Sequence, residues 1–434
     1  MKMGAQLGIY SIWPVFFGMF MLLALAASPL LKLADTPPNP SPHRISNLDG
    51  LRGFLALSVF FYHGVLYHDY ISNGNWQAPP SHFFRLIGPF GVDLFFMITG
   101  YLFWKIMINS AGEPRWLEFY AGRLFRIAPL YLFATMLALI TLFSRTGLVL
   151  HVSHFAFYKS LAKLGMLGAI SAPSVNGYND MLMVSVGVTW TLRYEWRFYF
   201  ALLILGQAAR HKILQRALPV VALPALLIYI SHSTDPQKLF VDNTAICAAL
   251  FCIGMILASF DGHAFLKNLP KWLVSAFVII LLVAAFSLFT TFFTVLPLIL
   301  LGVVFFLIVS GCDVFGLLST LPARRLGNAS FGIYLLQGLI LSWVFSLGPV
   351  RKFALVSPFQ YWMIVLSCAV LLVVFAAATH FFVEQPGIKL GRSVSLALRK
   401  FMQMNRKRNL AIQRAEPNTV RRIELTPKPD SATY

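Results

Sequence analysis

The hydrophobic pattern divides the chain into long apolar stretches separated by short polar segments. A helix needs about 20 apolar residues to cross the ~30 Å hydrocarbon core of a bilayer. Eleven stretches approach or exceed that length, at approximately 8–31, 48–68, 86–108, 126–143, 185–207, 217–232, 244–260, 272–288, 290–310, 330–347 and 359–382. The pattern therefore predicts an all-α integral membrane protein with about eleven transmembrane helices.

The composition indicates the same class of protein. Of the 434 residues, 58% are hydrophobic and 12% are charged, which is about half the charged fraction of a soluble domain. The four cysteines lie in or at the edge of apolar stretches: Cys247, Cys252, Cys312 and Cys368. Their spacing suits neither a disulfide framework nor a zinc site, so we expect no bound metal.

Two segments flank a central membrane domain at 48–386. Residues 1–33 contain an apolar run longer than the core of a typical signal peptide. We interpret it as an extra, uncleaved N-terminal transmembrane helix, with a cleaved signal peptide as the alternative. A Pro-rich linker follows at 34–47. Residues 387–434 form a basic tail, which we expect to be cytoplasmic, disordered and close to anionic lipid headgroups.

The distribution of Lys and Arg predicts the orientation, because cytoplasmic segments of membrane proteins are enriched in both. With the N-terminus outside and the C-terminus in the cytoplasm, the inside segments hold 24 basic residues and the outside segments hold eight. The remaining three of the 35 lie within spans. The net charge of +19 is therefore mainly a signal of topology, and we expect membrane lipids rather than nucleic acid as partners.

Two ionisable residues share one face of the first core helix. Arg52 and His63 are eleven positions apart, so their side chains point within about 20° of each other and are ~16 Å apart along the axis. Ionisable groups inside a bilayer are costly and mark functional paths by default. In the alternative interpretation, Arg52 reaches the headgroups and His63 bonds to a neighbouring helix.

The next two core helices carry further polar residues. Asp93 lies at about the predicted depth of His63, where a carboxylate could orient the imidazole or only bond to a neighbouring helix. Arg123 and Arg126 share a face at the cytoplasmic end of the third core helix, with Pro129 expected in its first turn. Two guanidinium groups there could bind phosphates, but headgroup anchoring explains them equally well.

The fourth core helix contains the segment Thr189–Tyr199 (TWTLRYEWRFY). Glu195 falls near the middle of the membrane, with Arg193 and Arg197 close to it. Three aromatic residues that could stack on a flat or sugar-like group surround them: Trp190, Trp196 and Tyr199. The alternative is a buried ion-pair cluster that only fixes helix packing.

Taken together, these motifs resemble those of the type 3 membrane acyltransferase family. The similar segments, in family order, are Leu48–Gly53 with His63, Gly91–Phe96 (GVDLFF), Arg123–Tyr131 (RLFRIAPLY), Thr191–Tyr199, Ser330–Leu336 (SFGIYLL) and Val383–Pro386 (VEQP). They extend over about residues 44–390. A single motif such as GVDLFF is weak, but the ordered set is specific.

The resemblance implies a membrane enzyme of ten core helices, usually in a bacterial inner membrane. Such enzymes move an acyl group, most often acetyl, from cytoplasmic acyl-CoA to a hydroxyl of a cell-surface or exported glycan, such as lipopolysaccharide or exopolysaccharide. The implied partners are therefore acyl-CoA as donor and a glycan or glycolipid as acceptor, with no permanently bound cofactor. The family's Arg and His that correspond to Arg52 and His63 are treated as essential for catalysis.

Three features depart from the family pattern. The usual Ser-Val-Glu-Trp-Gln is Arg193-Tyr-Glu-Trp-Arg197 here, and Gln337 stands where the family often has His. The extra N-terminal helix is not part of the family core. We expect the stand-alone form, without a fused esterase-like domain, and the departures affect the identity of the substrate more than the reaction class.

The motifs and the resemblance lead to the following assignment. The candidate catalytic residues are His63, Arg52, Asp93 and Glu195. The candidate acyl-CoA-binding residues are Arg123, Arg126 and, deeper, Arg52. The candidate glycan-binding residues are Trp190, Trp196 and Tyr199. His63 either takes the proton of the acceptor hydroxyl as a general base or is itself acylated and passes the group on.

The alternative function is that of a transporter or exporter of a glycan or glycolipid that uses the buried charges as a relay. Transporters often show internal repeats, but none is evident between residues 44–210 and 211–390, and the polar positions cluster in the first half. A receptor-like or structural membrane protein would not need the pair of Arg52 and His63.

Overall fold

The computed structural model describes residues 8–35, 45–170, 174–177, 187–232, 244–260 and 269–415, without the side chains of 406–415. The described part of the chain is helical and contains fifteen α-helices: α1 (Trp13–Ala27), α2 (Ser46–Asn73), α3 (His82–Asn109), α4 (Trp116–Thr146), α5 (His154–Gly165), α6 (Trp190–Leu205), α7 (Leu214–His232), α8 (Thr244–Ser259), α9 (Lys271–Leu288), α10 (Val295–Val309), α11 (Leu321–Asn328), α12 (Ser330–Ser346), α13 (Gly348–Ala354), α14 (Pro358–Thr379) and α15 (Gln385–Ala415).

Each of the eleven predicted apolar stretches coincides with an α-helix, namely α1–α4, α6–α10, α12 and α14. The hydrophobic pattern does not predict α5, α11, α13 or α15. The first three have 12, eight and seven residues, which is too short to cross a bilayer. The last is a basic segment with no long apolar run.

Within the described residues, five helices are long and apolar enough to cross a membrane: α3, α4, α7, α9 and the continuous helix that runs from Pro358 to Asn405. A sixth candidate is the pair α11 and α12, if the two are one span broken by a bend of 63°. Helices α1, α8 and α10 are apolar but shorter. The chain is thus a multi-pass membrane protein, and the total of eleven spans stays a prediction.

Helix α2 lies at the centre of the bundle and packs against α3, α11 and α12. Glycines let the backbones approach closely. A Cβ atom on Gly53 would lie 2.7 Å from Leu326 of α11, and one on Gly91 of α3 would lie 2.7 Å from the carbonyl oxygen of Leu55. Small residues of this kind are a common basis of helix association in membranes, where lipid supplies no hydrophobic drive between helices. The polar face of α2 is therefore held in register with its neighbours.

The prediction that Pro129 lies in the first turn of its helix is wrong. Helix α4 begins at Trp116, so Pro129 is in its interior. A proline there leaves the carbonyl group four residues earlier, that of Phe125, without its helical partner. Gly387 of α15 packs on this turn, where a Cβ atom would lie 2.4 Å from Pro129 and 3.2 Å from the oxygen of Phe125.

The prediction of a disordered tail from residue 387 is also wrong for residues 387–415. They are helical, and their first turns pack against α4 through Gly387 and Gly391. Contact with a neighbouring helix outweighs the polar composition of this segment. The rest of the tail and most of the Pro-rich linker lie outside the described residues.

Candidate functional site

Five charged residues from four elements lie close together at one end of α2. They are Arg52 of α2, Arg123 and Arg126 of α4, Glu195 of α6, and Glu384 of the turn between α14 and α15. We call them the arginine–glutamate cluster. Asp49, one turn from Arg52 on α2, adds a further negative charge nearby.

Glu384 is the most deeply buried member of the cluster. Its side chain is fully buried, and its Oε1 lies 2.9 Å from Nη1 of Arg126. Its Oε2 lies 3.1 Å from Nδ1 of His380. The turn His380–Glu384 is π-helical, a local widening that often accompanies functional residues. The buried carboxylate of Glu384 needs these partners, because burying an unpaired negative charge in a medium of low dielectric constant costs free energy.

Glu195 joins the cluster from α6. Tyr199, one turn further along the helix, donates a hydrogen bond from its hydroxyl to Oε2 of Glu195 at 2.8 Å. The cations that interact with Glu195 are Arg52 and Arg123. The guanidinium of Arg123 also lies over the ring of Phe103, with 4.8 Å between Cζ and the ring centroid. Glu195 therefore balances two of the three arginines.

Arg193 and Arg197 do not flank Glu195 as the sequence led us to expect. Both are two positions from Glu195, so they lie about 200° around the helix from it. Nη1 of Arg197 donates to Oγ1 of Thr244 at 3.1 Å, on an exposed side of α6. This departure from the family motif therefore lies outside the cluster.

A cleft opens beside Arg52 and Glu195. It has about 500 Å³ of atom-free space, including the part open to solvent. The rest of its lining is mostly apolar and comes from α3, α6 and α12: Val92, Phe95, Phe96, Thr191, Leu192, Ser330, Phe331 and Tyr334. An apolar wall with a few convergent polar groups is typical of ligand sites. Of the three arginines in the cluster, Arg52 is the one that lines the cleft.

His63 lies three turns along α2 from Arg52 and is 9% exposed. Its Nδ1 is 2.9 Å from the carbonyl oxygen of Val59. A carbonyl can only accept, so Nδ1 carries the hydrogen of this bond and Nε2 is the basic nitrogen. The side chain of Gln337 lies beside the imidazole. An imidazole in this form can take a proton or an acyl group at Nε2.

Asp93 is not the group that orients His63. On α3, Gly91 faces α2, and Asp93 lies about 200° away from Gly91 around the helix. Asp93 shares the side of Met97, whose backbone packs against Gly254 of α8. Asp93 is 2% exposed, and its Oδ2 has no hydrogen-bond partner among the described residues. The bond that sequence reasoning assigned to Asp93 is made by the backbone of α2 itself.

Helix α12 connects the cleft to His63. Tyr334 lines the cleft, and Gln337 lies beside His63 one turn later. Nε2 of Gln337 donates to the carbonyl oxygen of Tyr334 at 2.8 Å, while the hydroxyl of Tyr334 donates to the carbonyl oxygen of Val188 at 3.1 Å. Gln337, the residue that replaces a common histidine of the family, is thus in contact with the candidate catalytic residue.

The aromatic residues predicted to bind a glycan are not gathered at the cleft. Trp196 is 9% exposed, and its indole Nε1 donates to the carbonyl oxygen of Leu167 at 3.1 Å. Tyr199 is 3% exposed. Trp190 is half-buried against Phe96. Trp196 and Tyr199 therefore offer no open ring face to a sugar.

A different aromatic group surrounds His63, and sequence reasoning missed it. Helix α2 ends at Asn73 and is capped by Gly74, whose φ of +73° is the left-handed conformation common at helix C-termini. The ring of Trp76 then lies nearly parallel to the imidazole of His63, at 17° and 6.3 Å between centroids. Tyr67 and Tyr70 contact Trp76 edge-on. Both tyrosines continue the face of His63 at i+4 and i+7, which is the signal that could have indicated them.

Comparison with known proteins agrees with the motifs. The acyltransferase domain model of the type 3 family matches residues 45–380. The O-acetyltransferase OatA of Staphylococcus aureus is 27% identical over 267 residues, which cover 59% of this chain and 41% of OatA. The exopolysaccharide production protein ExoZ of Rhizobium meliloti is 38% identical over 117 residues, 26% of this chain and 32% of that protein. The chain thus spans less than half the length of these curated relatives.

No solved structure matches the chain significantly. The family match covers most of the chain, including Arg52, His63 and every residue that lines the cleft. Glu384 and α15 follow the matched region, and α1 precedes it. The match shows that the chain belongs to the type 3 membrane acyltransferase family.

Proposed function

We propose that the chain is a membrane-bound O-acyltransferase that moves an acyl group, in the simplest case acetyl, from cytoplasmic acyl-CoA to a hydroxyl of a cell-surface or exported glycan. The observation that carries the proposal is the cleft beside Arg52 and Glu195, from which one turn of α12 leads to His63. The names of the relatives support it, since one is an O-acetyltransferase and the other a protein of exopolysaccharide production.

The donor binds at the arginine–glutamate cluster in this proposal. Guanidinium groups match phosphate geometry with paired hydrogen bonds, and three of them converge here. Arg52 lines the cleft, so it is the arginine best placed to contact the donor directly. Arg126 is already paired with Glu384, so its contribution is to hold that carboxylate rather than to bind a phosphate alone.

The transfer breaks the thioester C–S bond of the donor and forms a C–O bond to the acceptor. In the direct route, Nε2 of His63 takes the proton of the acceptor hydroxyl as that oxygen attacks the acyl carbon, and the proton then passes to the departing thiolate. In the two-step route, Nε2 attacks the acyl carbon, the C–S bond breaks and CoA leaves as its thiolate. The acceptor hydroxyl then attacks the acyl group on the imidazole, the N–C bond breaks, and the hydroxyl proton passes to the thiolate. Both routes need an unprotonated Nε2. The hydrogen bond from Nδ1 to the carbonyl oxygen of Val59 favours this form, because it keeps the hydrogen of the neutral imidazole on Nδ1.

The proposed topology has eleven spans, with the N-terminus outside and the basic tail in the cytoplasm. It places the cluster at the donor side and the ring of Trp76 at the acceptor side of α2. Reporter fusions after Asn75 and after Arg408 should report opposite sides of the membrane. Reporters on the same side would contradict the orientation.

The test of the function is the release of free CoA from acetyl-CoA by the purified full chain. Release should require both the protein and a glycan acceptor, and acetyl should appear on the acceptor as an ester. Glycan movement across vesicles without any release of CoA would instead favour the transporter.

A further inference from the structure

Helix α11 carries a buried arginine that the proposed reaction does not use. Arg325 is 4% exposed. Its Nε and Nη2 donate to Oδ1 and Oδ2 of Asp35 at 2.6 and 3.0 Å. This is the two-pronged geometry that a guanidinium forms with a carboxylate and an ammonium cannot. The guanidinium holds the pKa of Asp35 below its usual range, so the pair is lost only as the pH falls through that lowered pKa.

The third nitrogen of Arg325 caps the C-terminus of α1. Its Nη1 donates to three successive carbonyl oxygens, those of Ala26 at 2.8 Å, Ala27 at 3.4 Å and Ser28 at 3.0 Å. The last carbonyl groups of a helix have no partner within the helix and form the negative end of its dipole. The buried guanidinium of Arg325 donates hydrogen bonds to these carbonyl groups and places a positive charge at the negative end of the helix dipole.

Other bonds hold the segments that precede and follow α1. Nδ2 of Asn328, also on α11, donates to the carbonyl oxygen of Ala34 at 2.7 Å. At the other end of α1, Nε1 of Trp362 on α14 donates to the carbonyl oxygen of Ile9 at 3.2 Å. Helix α1 precedes the region that matches the family, yet it is fastened to helices inside that region.

Helix α11 also adjoins the helices that carry two cleft residues, Arg52 of α2 and Tyr334 of α12. A Cβ atom on Gly327 would lie 1.8 Å from the carbonyl oxygen of Asp49, so α11 and the first turns of α2 touch backbone to backbone. Arg52 lies in that part of α2. Directly after α11 the chain bends by 63° into α12, which carries Tyr334. A shift of α11 would therefore move Arg52 and Tyr334 relative to each other.

We propose that Arg325 is a positioning residue, which fastens the N-terminal helix to α11 and thereby sets the distance between the cleft residues Arg52 and Tyr334. In this proposal, the extra N-terminal helix α1 helps to hold the cleft residues in position. The expected effect of Arg325 on turnover rests on the proposed acyl-transfer function. The contact between α1 and α11 does not depend on that function.

The first measurement is independent of activity. Ala34 is 1% exposed, so in the full chain carrying Ala34→Cys this thiol should react slowly with a maleimide, counted above the label taken up by the four native cysteines. Adding Arg325→Ala should raise the rate at least about tenfold, because local opening of a released segment exposes it. Arg324→Ala is the matched control, since Arg324 is adjacent and exposed. Equal labelling rates for Ala34→Cys alone, with Arg325→Ala and with Arg324→Ala would contradict the proposal that Arg325 fastens the N-terminal helix to α11.

The second measurement is turnover of acetyl-CoA per folded molecule. Arg325→Ala should lower kcat about 10- to 100-fold, the scale expected when reacting groups are misplaced by about 1 Å. The kcat of Arg325→Lys should lie between those of the wild type and Arg325→Ala, because lysine keeps the positive charge but cannot form the two parallel hydrogen bonds to Asp35. A loss of folded protein with unchanged kcat per folded molecule would show a structural role alone and overturn the positioning. If the wild-type chain transfers no acyl group while the thiol at position 34 behaves as expected, the proposed function fails and the docking by Arg325 is supported.

Discussion

Two regions of α2 satisfy their polar groups in different ways. In the arginine–glutamate cluster, charges meet opposite charges, as between Arg126 and Glu384. Three turns away, the imidazole of His63 meets neutral groups, namely the carbonyl oxygen of Val59, the amide of Gln337 and the ring of Trp76. One helix thus carries an ionic region and an uncharged region on the same face.

The difference indicates a division of labour. Charged groups in a network can exchange partners for the phosphates of a ligand. A neutral imidazole with an unprotonated Nε2 can act as a general base or as a nucleophile. We therefore propose that the cluster binds the donor and that His63 carries out the chemical step. Substitutions in each region test this division.

The largest effect is expected at His63. His63→Gln keeps a hydrogen-bonding side chain of similar size but cannot take the proton, so acetyl transfer should fall about 100- to 10,000-fold. The rate of CoA release at saturating acceptor measures this. His68→Gln, five residues further along α2, is the matched control and should retain activity. Near-normal transfer by His63→Gln would move the chemistry away from His63.

The next largest effect concerns stability on the ionic side. Arg126→Ala leaves the fully buried carboxylate of Glu384 without its main cation, which should cost about 3–5 kcal/mol in the free energy of unfolding. Glu384→Gln removes the charge that needs compensation, so the double variant should recover much of that loss. Thermal unfolding in detergent measures both. If the double variant is stable but its KM for acetyl-CoA is still raised, Arg126 also contacts the donor.

A smaller effect is expected at Glu195. Glu195→Gln weakens the hold on Arg52 and Arg123 and should lower kcat/KM for acetyl-CoA about tenfold, equal to about 1.4 kcal/mol. Tyr199→Phe removes one hydrogen bond to the same carboxylate and should lower kcat/KM in the same direction but by less. A greater loss for Tyr199→Phe than for Glu195→Gln would contradict the role of Glu195 as the counter-charge of the cluster.

The smallest effect is expected at Arg197, although its motif places it beside Glu195 in sequence. Its side chain points to Thr244 on an exposed side of α6, so Arg197→Gln should change kcat/KM less than about twofold, as is usual for surface substitutions. Arg52→Gln, measured in parallel, should be far more damaging. Similar losses for the two variants would place Arg197 in the site.

Much of the local architecture follows from the sequence. The apolar stretches predict the positions of eleven helices, and the 3.6-residue repeat places Arg52 and His63 on one face. The same local rules fail where a segment depends on a neighbour. Pro129 is tolerated inside α4, and the polar residues from 387 onward stay helical, because α4 and α15 pack together.

The composition, the periodicity and the order of the motifs by themselves determined the class of protein and the main helices, and they predict His63 as the residue at the centre of the chemistry. The partners of those residues were decided by the tertiary structure. Helical periodicity states which way a side chain points from its own axis, but the neighbour it meets depends on the rotation, tilt and bending of other helices. Asp93 therefore turned away from His63, and Arg325 found Asp35, which lies 290 positions earlier in the chain.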